Sequence, residues 1–102
     1  MLHVIAEIEV NEGMRDAFLK EFRRIVPIVR DEDGCIEYGP TVDRISAVPF
    51  QPAARPNLVT VIEKWSSEAT LKAHLDAPHM AEYLRRVEHM RKSVTIYVLD
   101  PA

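Results

Sequence analysis

The sequence predicts an α+β domain of the ferredoxin-like, split β-α-β-β-α-β kind, with an antiparallel sheet. Two observations predict it. The hydrophobic period alternates between two and about 3.6 residues in that order along the chain. The 102 residues are enough for one core and too few for two, so residues 1–102 read as a single domain.

The elements follow in order. Leu2, Val4, Ala6, Ile8 and Val10 alternate with His3, Ile5, Glu7 and Glu9, the pattern of a half-buried strand. From about Glu12 the apolar spacing becomes Met14, Phe18, Phe22, Ile25 and Val29, which is helical, with Asn11 as the expected cap. Pro27 cannot donate to the carbonyl four residues back, so it should kink this helix or end it near Val26. Asp31-Glu32-Asp33-Gly34 reads as a turn, and Cys35 to Asp43 as the second strand. Leu58 to Trp65, rich in β-branched residues, is the third. Ser66 starts a short helix that ends near Asp76, and Pro78 suits the first turn of another. That helix turns Met80, Tyr83, Leu84 and Val87 inward. Val94 to Leu99 closes the sheet.

Between the second and third strands lies Arg44–Asn57, far longer than a hairpin needs. Three prolines stiffen it, and Ile45, Val48 and Phe50 make it partly apolar. It reads either as a loop packed on its own sheet or as a cover or arm directed at a pocket or a second subunit.

Composition bounds the partners. Hydrophobic residues make up 47% and charged residues 28%, as in an ordinary globule. A net charge of −3 without a basic cluster argues against nucleic acid and against an anionic membrane. The single Cys35 cannot form an internal disulfide, and no apolar run has signal or membrane length, so the cytoplasm is the expected location. The sheet asks for a partner. The third and fourth strands carry apolar residues on both faces, and two short helices can cover only one of them. A homodimer joined sheet to sheet is the economical solution.

The chemistry concentrates between Glu63 and Tyr83, EKWSSEATLKAHLDAPHMAEY. A strand ends there on an acid and a tryptophan, Ser66–Ser67 cap a helix that turns His74 inward, and Pro78-His79 starts the next. A carboxylate on an apolar face needs a partner, and His74 or an arginine is the natural one for Glu63. His74 shares its face with Leu71 and Leu75, so it is either a pocket group or a core histidine. His79 either joins the pocket or ties the two helices together. Trp65 is a substrate wall or plain core, and Tyr38 and Tyr83 either place hydroxyls in the pocket or only pack. A metal site is not expected: His74 and His79 stand five apart across a helix break, and no third ligand is evident.

The element order, DEDGCIEY at the second strand, and the spacing E-x-W-x(8)-H-x(4)-H resemble the antibiotic biosynthesis monooxygenase family, small quinol monooxygenases included. The resemblance covers nearly the whole chain, though the signature holds no unique catalytic motif. It implies a dimeric α+β barrel in which two sheets face each other, with a pocket between sheet and helices in each protomer. It also implies oxygenation of a phenolic or quinol substrate by O2 without metal, flavin or haem. The site residues would then be His74 and Glu63 as catalytic groups, with Trp65, Tyr38, His79 and Tyr83 around the substrate. Haem-degrading relatives use an asparagine in the first strand and a histidine on the last helix. Those positions fall here on Ile8 and about Leu84, which disfavours haem degradation. Two other readings stand beside the oxygenase. One is an isomerase of a small phosphorylated metabolite, of the type found in autoinducer-2 breakdown, for which Arg44 or Arg55 would supply the positive charge. The other is a dimer that binds a small molecule without catalysis.

Overall fold

The computed structural model describes residues 1–102 as β1 (Leu2–Val10), α1 (Arg15–Arg30), β2 (Cys35–Thr41), β3 (Leu58–Trp65), α2 (Glu68–Leu75), α3 (Pro78–Val87) and β4 (Arg91–Leu99). The four strands form one antiparallel sheet in the order β2-β3-β1-β4. This is the ferredoxin-like arrangement that the periodicity predicts, its second helix broken into α2 and α3.

The core lies between the helices and one face of the sheet. Val4, Ala6, Ile8 and Val10 of β1 and Val59, Val61 and Trp65 of β3 supply the sheet side, all buried. Phe18, Phe22, Ile25 and Val29 of α1 supply the other. Phe22 stacks on Tyr38 with centroids 5.6 Å apart and meets the edge of Tyr83 at 5.7 Å. One aromatic pillar thus joins β2, α1 and α3.

Four local expectations are corrected. Asn11 does not cap α1: Met14 holds the N-cap position, and the Asn11 side chain donates to the His89 carbonyl at 3.1 Å. With its backbone N–H bonded to Met90 O, Asn11 instead ties the end of β1 to the turn before β4. Pro27 does not end α1, which runs on to Arg30. Pro27 sits on the exposed side of the helix, where the carbonyl it leaves unpaired meets water, while buried Ile25, Val26 and Val29 hold the last turn in place. β2 stops at Thr41 rather than Asp43, whose carboxylate instead grips Arg55 through its backbone N–H at 3.0 Å and its Nε at 2.8 Å. β4 begins at Arg91, three residues before Val94.

The sheet face turned away from the helices is mixed rather than uniformly apolar. Strand register places Ile5, Ile62, Tyr97 and Leu99 toward one end, and Glu7, Glu9, Thr60, Ser93 and Thr95 toward the other. β4 is covered on neither side. Val94, Ile96 and Val98, which share the helix face, stay 42–50% exposed, and Tyr97 and Leu99 on the other face are exposed to a similar degree. In the connection between β2 and β3, Ile45, Val48 and Phe50 are exposed, and Phe50 takes a positive φ of 70°.

Candidate active site

Two turns of chain bring the chemical groups together. The first is the acidic turn after α1. Gly34 takes φ +79°, and a Cβ there would lie 2.5 Å from Thr70 Cβ, so only glycine lets the turn close onto α2. The Ser66 N–H donates to Gly34 O at 2.8 Å and seals the contact. The second is the start of α2, where Ser67 and Thr70 form a reciprocal capping box. With both ends fixed, Glu32 is delivered to the histidines.

Glu32 is the organising residue, and sequence reasoning did not single it out. Its Oε2 lies 2.8 Å from His74 Nδ1 and 3.0 Å from His79 Nε2. A carboxylate can only accept, so both ring nitrogens facing it carry protons. That fixes His74 as the Nδ1–H tautomer and leaves the Nε2 lone pair without a partner in the chain. The His74 ring, 2% exposed, is held between Trp65 (centroids 4.7 Å apart) and Tyr38 (5.4 Å, edge-on).

The expectation that Glu63 pairs with His74 or an arginine is also corrected. Its Oε1 accepts from the Trp65 indole N–H at 2.8 Å. Burial pushes the Glu63 carboxyl up to about 7; the indole hydrogen bond pulls it down, and the charge of Glu32 adds to the rise. Burial likewise raises the Tyr38 and Tyr83 hydroxyls, so both remain protonated donors near neutral pH.

These groups surround a cavity of about 220 Å³ between the sheet and α2–α3. Glu63, His74, Tyr38 and Tyr83 all line it, among mostly apolar neighbours from α1, α3, β1 and β4. Two expected site residues do not line it. Trp65 is wholly buried behind the wall, where it supports Glu63 and His74. His79 lines a separate, mostly polar hollow with Arg24, Glu82 and Arg86. The charged lining residue that was missed is Arg91, the cavity's only cation. Ile8 and Leu84, the positions that would serve haem, are further apolar lining.

A more open groove of about 410 Å³ lies on the opposite sheet face, lined by Glu7, Glu9, Arg55, Ser93 and Thr95. Arg55 is committed there to Asp43, with Glu7 at 3.5 Å, so it cannot bring charge to the cavity on the helix face. The groove holds no buried titratable group; Glu63, His74, Tyr38 and Tyr83 all lie on the helix side.

The expectation that no third metal ligand accompanies the histidines does not hold. Glu32, His74 and His79 present one ligand atom each within 4.8 Å of one another, a donor set that could hold a transition-metal ion. As it stands, the three are joined by hydrogen bonds through a single carboxylate oxygen.

Comparison with known proteins agrees with this architecture. The profile of the antibiotic biosynthesis monooxygenase family matches residues 1–86. The "probable quinol monooxygenase YgiN" of Escherichia coli K12 is 44% identical over 103 residues, covering 99% of this chain and 98% of its own. Among solved structures, PA3566 from Pseudomonas aeruginosa superposes with a TM-score of 0.81 at 29% identity, covering 99% of this chain and 93% of its own. Rv0793 from Mycobacterium tuberculosis shares the fold, with a TM-score of 0.80 at 22% identity over 99% of this chain and 94% of its own. The chain belongs to the antibiotic biosynthesis monooxygenase family.

Proposed function

We propose that the protein is a homodimeric monooxygenase that oxidises a small phenol or quinol with O2 and needs no cofactor. The observation that carries this is one small apolar cavity holding two proton acceptors, His74 and Glu63, with phenolic donors beside them. The quinol character of the substrate is further supported by the similarity to YgiN.

The chemistry asks little of the protein. O2 in its triplet state reacts slowly with closed-shell molecules, but an electron-rich phenolate can pass it one electron. His74 Nε2 takes the substrate hydroxyl proton, and Glu32 stabilises the imidazolium that results. The phenolate, in an apolar site with little competing water, gives an electron to O2, and the radical pair joins into a carbon–oxygen bond. Glu63, poised near neutrality, takes the ring proton as the O–O bond breaks and water leaves. For a 1,4-dihydroxyarene the balance is quinol plus O2 to hydroxyquinone plus water. All four electrons that O2 accepts come from the substrate, so no external reductant enters.

Oxygen uptake over a hydroquinone panel tests this. Uptake should be unaffected by chelators and fall about 10²–10⁴-fold in His74→Ala, the usual worth of a general base. His79→Ala should act mainly on stability, by about 1–2 kcal/mol for a lost charge-assisted hydrogen bond. Iron bound at Glu32, His74 and His79, with uptake depending on it, would overturn the cofactor-free reading.

A further inference from the structure

Arg91 poses a question that proton transfer does not answer. Its Nε is buried and has no hydrogen-bond partner, the one such side-chain atom in the protein. Leaving a charged donor unpaired out of water is costly, so the group calls for an explanation.

Its position is produced by an irregularity in the sheet. Along β4, Ile96 pairs with Ala6 and Val94 with Ile8, both on the helix face. Regular alternation would then bring Lys92 to that face beside Val10. A register shift between Glu9 and Val10 instead pairs Arg91 with Val10. The bulge turns Arg91 into the cavity and sends Lys92 outward, where it reaches Glu9 at 3.2 Å. Bulges near ligand sites commonly re-aim a side chain in this way.

Arg91 enters at the end of the cavity away from the proton acceptors. Its strand partner is Val10, whereas that of Glu63 is Val4, six residues back along β1. At about 3.3 Å per residue the two backbones are roughly 20 Å apart along the strand, and the side chains reach toward each other across an apolar middle. Ile8, Val94 and Ile96 line that middle. At this end the Arg91 charge also acts on the Tyr83 hydroxyl.

We propose that Arg91 is the oxyanion receptor of the cavity: its guanidinium binds a negatively charged oxygen of an aromatic substrate at the end remote from Glu63. This rests on reading the cavity as the substrate pocket. It narrows the substrate class to rings that delocalise the charge of a lost proton onto an oxygen across the ring, as a 1,4-dioxygenated arene does. Arg suits the task because it stays charged and offers several N–H donors in a fixed plane.

The test is anaerobic binding of 4-nitrophenol, a coloured phenol whose anion shares its charge between both ends, so that either orientation offers Arg91 a negative oxygen. The wild type should bind the anion in preference to the neutral phenol, and the ionisation of the bound chromophore should shift to lower pH. Arg91→Gln should weaken anion binding about 10- to 100-fold and reverse that preference, the expected loss for a hydrogen bond to a charged group. Arg91→Lys should restore part of it. Lys92→Gln, on the other face, should match the wild type. Equal anion affinity in folded wild type, Arg91→Gln and Arg91→Lys would overturn the assignment, as would no binding of nitrophenolate by the wild type. Because no turnover is involved, a protein that binds the anion through Arg91 yet consumes no oxygen would sink the oxygenase reading alone.

Discussion

At the scale of single residues, the site depends on placing carboxylates in two contrasting settings. Glu32 is bonded to two imidazoles, whereas Glu63 is 6% exposed and bonded only to an indole. The sign of the Glu63 effect on stability follows from its raised pKa. Between about 4.5, its ordinary value, and about 7, the folded state holds a proton that the unfolded chain has lost. Stability should therefore fall as pH rises through that window, by at most about 3 kcal/mol, and level off above it. Turnover should rise through the same window as the base form appears. Glu63→Gln should flatten the stability slope and remove that limb of the rate profile, which chemical denaturation and oxygen uptake at stepped pH would measure. An unchanged slope in the variant would mean that Glu63 titrates as an ordinary surface carboxylate. Little of this was legible in the sequence. E-x-W marked Glu63 as unusual, but alternation could not reveal that the tryptophan two residues on, sharing its face, would be its hydrogen-bond partner.

At the scale of elements, patterning was a good guide wherever one face meets the core. β1 and β3 have the bounds their alternation implies, because slipping either by one residue would turn its buried valines to water. Patterning failed where local chemistry competes with packing. Pro27 reads as a kink or a stop, yet tertiary contacts on either side carry the helix past it. Residues 31–34 read only as a turn, yet Gly34 docks that turn on α2 and delivers Glu32 to the histidines. The bulge in β4 leaves no mark in the sequence, so Arg91 falls on the wrong face when alternation is counted back from Val94. The turn can be tested directly. Gly34→Ala combines a strained positive φ with a clash against Thr70, and should cost about 1–3 kcal/mol. If the turn positions Glu32, the same variant, once refolded at low temperature, should also lose turnover with KM little changed. Thermal denaturation with steady-state kinetics would separate the two effects, and wild-type stability in Gly34→Ala would contradict the docking role.

At the scale of the whole molecule, β4 is the unfinished part. It is exposed on both faces, its inward Val94 and Ile96 line the cavity, and Phe50 in the connection between β2 and β3 is fully exposed. A second copy laid against the sheet would cover its outer face at Tyr97 and Leu99, the symmetric arrangement that one self-complementary patch allows. Light scattering at micromolar concentration should give twice the 11.7 kDa chain mass. Charged substitutions at Tyr97 and Leu99 should lower it, and a monomeric mass for the wild type would refute the sheet-to-sheet dimer. The central claim, however, concerns the fate of dioxygen. Turnover of a 1,4-hydroquinone under ¹⁸O2, with mass spectrometry of both products in metal-free buffer, tests it most directly. The proposed mechanism requires one labelled oxygen in the quinone product and one in water, without added cofactor. Unlabelled quinone with labelled hydrogen peroxide would show a simple oxidase and contradict it.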